Sequence, residues 1–328
     1  MRRAAPLLSA LALVGLVHCG SAASRDGFDE GSPPPGGGGA EGGVTSTFGD
    51  AGTPSEGEPN GACKEDIDVV LVLDVSSSMG FVLEKLDAEI ENVVQASNAL
   101  KSGAHFGLVL FVDNVKVDDT GDLSNGLVHT KSDTLRAAFA YAKKTYTQPN
   151  RNPGDGPSGP TTQNPICEEN ALDALNDTAT QFPWRSPAAR VAILVTDDTF
   201  LEKPDNYGDG NGDGDTVDEK PYKEGDYPAR FALDETIATL KKESVRVFSF
   251  TKLKAPGTFD LTKCGTPRRH DSDDCVTYGW SKPYAGKPPI PDQTGGKNFD
   301  LDLVRNGSLS LAETINEVVL ESRCAAPK

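Results

Sequence analysis

An apolar run that stops abruptly at an aspartate constrains this chain more than any other feature: VVLVLDVSSSMG, residues 69–80. A strand with one wet face alternates apolar and polar residues, so a run with no polar member must be covered on both faces, as in a parallel sheet between two layers of helices. The strand is expected over residues 67–73, with similar buried strands at HFGLVLFV (residues 105–112), at AILVT (residues 192–196) and at residues 245–251. Between them the apolar spacing turns helical. Residues 81–100 carry Val82, Leu86, Ile90, Val93, Val94 and Leu100, and residues 169–182 carry Ala171, Leu172, Leu175 and Ala179. Further helices are expected over residues 133–144 behind a Ser132 cap, 230–243 and 309–323. Strands alternating with helices predict an α/β fold, a doubly wound and mostly parallel central sheet flanked by helices, whose ligand site lies outside the carboxyl ends of the strands.

At 328 residues and 37% hydrophobic content the chain can bury a sizeable core. Its net charge of -17 argues against nucleic acid, whose phosphates it would repel, and favours cations and basic surfaces. Arg2 and Arg3 followed by an apolar run over residues 7–17 read as an export signal, too short to span a bilayer comfortably. The signal ends in LVHC, which resembles the lipobox of bacterial lipoproteins and makes Cys19 the lipidation candidate; His18 departs from the small residue usual there. Gly20 after that cysteine implies outer-membrane sorting, and the alternative is ordinary cleavage near Ala22 or Ala23. Residues 20–62 are rich in Gly and Pro and nearly devoid of large apolar groups, so they read as a disordered tether between the signal (residues 1–19) and a folded domain over residues 63–324.

Asp74, Ser76 and Ser78 fall at the carboxyl end of the first strand, on the turn into a helix. One carboxylate and two hydroxyls on a tight turn supply three hard oxygen donors for a divalent cation from one short segment. This Asp-x-Ser-x-Ser pattern resembles the metal-ion-dependent adhesion site of von Willebrand factor type A domains. AILVTDD puts Asp197 where that family has its second aspartate, with Asp198 where a glycine is common. The family also takes a ligand, usually threonine, from the loop opening the intervening helix. In PTTQNPICEENALDAL, counting back from Ala174 and Leu175 selects Glu169 over Thr161 and Thr162. The resemblance covers residues 67–323 and implies a Rossmann-like fold. It also implies a cation, Mg²⁺ first with Mn²⁺ or Ca²⁺ as alternatives, held by Asp74, Ser76, Ser78, Glu169 and Asp197, directly or through water, with one position left for an acidic group of a protein or glycan ligand.

Two insertions, about residues 204–228 and 254–296, follow strand ends and are expected on the metal-bearing face. The first contains DNYGDGNGDGDTVDE, in which Asp209, Asn211 and Asp213 before Gly214 reproduce the opening of an EF-hand-like loop. Asp215 could add a carbonyl and Asp218 or Glu219 complete a second calcium site, but Lys220 stands where the EF-hand has its glutamate. A solvated acidic loop is the competing reading. The second insertion is rich in proline and carries Cys264 and Cys275. The implied fold brings its ends close together, so Cys63 with Cys324 is the first disulfide expected and Cys264 with Cys275 the second; Cys167 is left either as a buried thiol or as a partner for one of the latter two.

Catalysis is not expected. The four histidines are His18, His105, His129 and His270, none in a pattern with a nucleophile, and neither G-x-S-x-G nor H-E-x-x-H occurs. The expected function is metal-dependent binding by an exported protein, placed at the outer membrane or cell surface through a lipid anchor, or else periplasmic or secreted. The alternative is a structural envelope protein whose metal only stabilises the fold, with a hydrolase third.

Overall fold

The computed structural model describes residues 63–98, 103–147, 151–157, 168–203, 228–253 and 277–324. Six strands form one sheet: β1 (Ile67–Asp74), β2 (Ala104–Phe111), β3 (Val115–Val117), β4 (Ala189–Val195), β5 (Val245–Thr251) and β6 (Asn298–Asp300), in the order β3-β2-β1-β4-β5-β6. All neighbours are parallel except β3, which returns antiparallel along the edge of β2. The chain starts in the middle, winds outward on one side and then on the other. The switch falls beside β1, where helices leaving neighbouring strands diverge and open a crevice at the carboxyl ends.

Every residue of β1 is buried, and its alternation divides the core into two halves. Val69, Leu71 and Leu73 face helices α1 (Gly80–Asn98) and α2 (Ser132–Ala142), together with α7 (Leu311–Cys324), the last helix along the chain. Val70 and Val72 face α3 (Ala171–Gln181) and α4 (Leu233–Lys242). The short helices α5 (Ile290–Thr294) and α6 (Leu301–Arg305) flank β6. The α/β architecture, the mostly parallel sheet and its helical cover are as the apolar runs require.

Asp68 is a polar member of β1 with no exposure at all. It is compensated by Arg185, whose Nε reaches Oδ1 at 2.7 Å and whose backbone N–H reaches Oδ2 at 2.6 Å. The same guanidinium donates to the carbonyls of Ile67 at 2.7 Å and Gly103 at 3.3 Å.

Several expectations are corrected. Ser132 does not cap α2. It is the helix's first residue behind Lys131, and its hydroxyl donates to Glu91 at 2.5 Å instead. The helix continues as a π turn over Lys143–Thr147. Glu169 and Asn170 precede α3 rather than open it, because the backbone of Glu169 pairs with Phe200 in a parallel bridge. The later part of the second expected insertion, residues 277–296, belongs to the core. Trp280 and Ile290 are fully buried there, and Trp280 meets Phe200 edge-on at 5.3 Å. Gly279 makes that approach possible, since its φ of +79° is left-handed and a Cβ would sit 2.2 Å from the Phe200 ring.

Cys63 and Cys324 form the expected disulfide, and the join continues in Lys64 N–H donating to Arg323 O at 2.8 Å and Arg323 Nε donating to Lys64 O at 2.9 Å. Cys19, Cys167, Cys264 and Cys275, the tether, and the acidic run with Asp209, Asn211, Asp213, Asp215, Asp218 and Glu219 lie outside the described residues. Among the described residues no helix is long and apolar enough to cross a membrane.

Candidate metal centre

The carboxyl ends of β1, β2 and β4 converge on one acidic point. Asp74 is the last residue of β1, paired in register with Phe111, and Val75 N–H donates to the carbonyl of Phe111 at 3.0 Å. Asp74 is held at both oxygens, for Oδ1 accepts from Ser76 N–H and Oδ2 from the Thr196 hydroxyl, each at 2.8 Å. The first bond is an aspartate turn, which redirects the chain from strand to helix and lifts Ser76 and Ser78 beside the carboxylate. Ser78 Oγ donates to Asp197 Oδ1 at 2.9 Å and lies 3.1 Å from Ser76 Oγ. Because the Ser78 proton is committed to Asp197, Ser76 is the donor of that pair.

From β4 the chain passes through Thr196 into Asp197 and Asp198. Thr196 hydroxyl accepts the Asp198 N–H at 3.2 Å, and Trp280 Nε1 donates to the Asp198 carbonyl at 3.0 Å. Asp74, Asp197 and Asp198, all buried, each present a carboxylate oxygen within 4.8 Å of the others. Glu169 is not part of that group of three but lies buried close by. Glu169 N–H donates to Thr199 O at 3.3 Å and its carbonyl accepts from Leu201 at 3.1 Å, while Asn170 ties the same segment to the end of β2 through Val112 O and Asp113 O.

The electrostatics are those of crowded, buried carboxylates. Burial first, and the neighbouring Asp197 second, push the Asp74 carboxyl up to about 7. Burial, followed by Asp74, Asp113, Asp198 and Asp197, holds Glu169 well above the ordinary carboxylate range. One oxygen of Glu169, Oε2, is buried without a hydrogen-bond partner. An unpartnered buried carboxylate oxygen is costly, and a cation bound by oxygens is what would relieve it. The donor set of carboxylates and serine hydroxyls is entirely hard oxygen, which suits Mg²⁺, Mn²⁺ or Ca²⁺ and not a thiolate- or imidazole-seeking metal. The cluster can therefore hold a metal ion. When bound, such an ion would supply a Lewis-acidic point at the carboxyl edge of the sheet.

One cation of the protein already touches this point. Arg305, the last residue of α6, places Nη2 3.2 Å from Asp197 Oδ2, and its guanidinium lies over the Phe81 ring at 4.5 Å.

Of the residues expected at the site, the structure brings together Asp74, Ser76, Ser78 and Asp197, with Glu169 beside them. It adds Asp198 and Arg305. Asp198 has a signal in the sequence, an extra carboxylate in AILVTDD at a position where the resemblance implies glycine. Arg305 has none, since it arrives from a part of the chain 108 residues beyond Asp197. Thr161 and Thr162 lie outside the described residues. His129 is buried away from the site, bridging Phe106 near the start of β2, with Nε2 3.0 Å from Asp118 and Nδ1 3.0 Å from the Thr134 hydroxyl.

No family model and no curated protein matches the chain. Among solved structures, an aerotolerance-related membrane protein from Bacteroides fragilis NCTC 9343, with multiple mutations to serines, is 13% identical with a TM-score of 0.36, over 78% of this chain and 98% of that one. Proximal thread matrix protein 1 from the mussel byssus is 13% identical with a TM-score of 0.39, over 80% of this chain and 49% of that one. The fold assignment rests on the strand order and on the two-sided burial of β1, and not on these likenesses.

Proposed function

We propose that this chain is an exported, envelope-associated domain of the von Willebrand factor A type that binds an acidic group of a protein or glycan partner through a divalent cation. Asp74, Ser76, Ser78, Glu169 and Asp197 would hold the ion, with Asp198 as a further donor and Mg²⁺ the first choice. The observation that carries the reading is the convergence of Asp74, Asp197 and Asp198 within 4.8 Å at the carboxyl edge of the sheet, beside the two serine hydroxyls. The Cys63–Cys324 disulfide supports an oxidising compartment. Lipidation at Cys19 and a calcium site at Asp209, Asn211, Asp213, Asp215 and Asp218 are further parts of the proposal, outside the described residues.

Burial supports a second reading, in which the metal only stabilises the fold: Asp74 is fully buried, and Asp197 and Asp198 are 5% and 8% exposed. Calorimetric titration with Mg²⁺ and Mn²⁺ tests the site, since Asp74→Ala should remove most of the affinity while the domain stays folded. A pull-down from envelope extracts with Mg²⁺ against EDTA then separates the readings. Partner recovery only with metal supports adhesion, whereas metal-dependent melting with no partner at either condition favours the structural role.

A further inference from the structure

Arg305 is the one basic side chain among the described residues seen to pair with the acidic cluster, and it is held loosely. The guanidinium of Arg185, which serves the buried Asp68, is fastened by three hydrogen bonds, two of them to backbone carbonyls. Arg305 makes a single hydrogen bond, to Asp197 Oδ2 at 3.2 Å, and rests on the face of Phe81 at 4.5 Å. Its side chain is 44% exposed, so the guanidinium has solvent to turn into. Asp197 is meanwhile engaged at both oxygens, Oδ1 by Ser78 and Oδ2 by Arg305. An arginine cannot yield to an incoming cation by losing its proton, because guanidinium stays charged at any ordinary pH. It must move, or remain and repel.

We infer that Arg305 is a built-in counter-ion that competes with the divalent cation for Asp197, setting the site's metal affinity and turning outward when the ion enters. The inference rests on the metal-site reading above. Before metal arrives, Arg305 offsets part of the negative charge and keeps Asp197 in place through one bond and one ring contact. Once a double charge lies among Asp74, Asp197 and Asp198, the two cations oppose each other across Asp197, and the more weakly held guanidinium leaves. Phe81 marks its resting place, because an aromatic face attracts a guanidinium without competing for its hydrogen bonds. The released group then stands at the rim of the centre as a second positive charge for an acidic partner.

The test needs the purified protein and Mn²⁺ as the probe. Removing the charge in Arg305→Gln should tighten Mn²⁺ binding about tenfold or more, measured by calorimetry, since like-charge repulsion at such short range is large. Arg305→Lys, which keeps the charge, should stay close to the parent. A second readout uses the unaltered chain: modification by an arginine-selective dicarbonyl, mapped by mass spectrometry, should be faster at Arg305 with Mn²⁺ than with EDTA, with Arg185 unchanged. If Arg305→Gln binds Mn²⁺ as the parent does while Asp74→Ala abolishes binding, the metal site stands and the role of Arg305 is overturned. Equal modification of Arg305 with and without Mn²⁺ overturns it as well. If neither the parent nor Arg305→Gln binds Mn²⁺, both the site and the counter-ion fail together.

Discussion

Raising the pH should weaken the metal-free protein, against the usual behaviour of carboxylates. Asp74 sits at the end of a fully buried strand, and its carboxyl rises from the ordinary 3.8 to about 7 because burial and Asp197 both disfavour its charge. Between those values the folded state keeps a proton that the unfolded chain has released. The unfolded chain then binds fewer protons than the folded one, so the contribution of Asp74 is full below about pH 4 and declines as pH rises to about 7. At about 1.4 kcal/mol per pH unit, the rise from 3.8 to about 7 amounts to about 4 kcal/mol lost from this one group. Glu169 acts in the same direction. Asp118 and Asp122, whose pKa values are lowered, act oppositely, but their contribution is complete above the ordinary carboxylate range. His105, held below its usual value by burial, opposes the decline up to about pH 6.5 and is common to the parent and the Asp74→Asn control. The assay is urea unfolding in EDTA across this range, with Asp74→Asn as the control, since asparagine keeps the side chain's shape without its charge. The parent should lose stability toward neutral pH, and Asp74→Asn should lose much less. Saturating Mg²⁺ or Mn²⁺ should reverse the slope, because the ion binds the deprotonated site. A parent curve that is flat or rising in EDTA, or an Asp74→Asn curve that falls in parallel with it, refutes the reasoning.

Three further outcomes follow from the packing. Arg185→Ala strands the fully buried Asp68 and should cost about 3–5 kcal/mol in urea unfolding; a loss under about 1 kcal/mol would mean that the pair matters little. Gly296→Ala would place a Cβ 1.8 Å from the Val247 carbonyl, so the loop or strand β5 must shift, at about 3 kcal/mol or more, read as a lowered melting temperature. Trp280→Phe keeps an aromatic ring but removes the indole bond to the Asp198 carbonyl, and should cost about 1–3 kcal/mol and weaken Mn²⁺ binding measured by calorimetry.

The long elements were legible because their physics is local. A run such as residues 69–73 has no polar member to turn toward water, and the helices carry several turns of apolar spacing. β3 and β6 have three residues each and half-buried patterns, too short to show a period, and α5 and α6 have five each, barely more than a turn. Trp280 looked like part of an excursion because its neighbours are proline- and glycine-rich. Its burial depends on Phe200, which lies far away in sequence. The site divides in the same way. Asp74, Ser76, Ser78 and Asp197 were readable as strand-end residues, whereas the bridge of Glu169 to Phe200 and the arrival of Arg305 at Asp197 are tertiary events with no periodic signal.

The clasp at Cys63 and Cys324 has a mechanical consequence. It closes the amino end of β1, while Asp74 stands at the other end, seven steps along the strand from Ile67, a distance of about 23 Å at the usual rise of about 3.3 Å. Tension between residues 63 and 324 would run through a covalent Sγ–Sγ link and bypass the sheet altogether. A load drawn from residue 63 toward something gripped at the Asp74 edge would instead pull along the axis of β1. There it shears the ladders to β2 and β4 on both flanks at once, rather than peeling their hydrogen bonds apart one by one. The central strand is thus placed to act as a tie-rod between the clasp and the acidic edge.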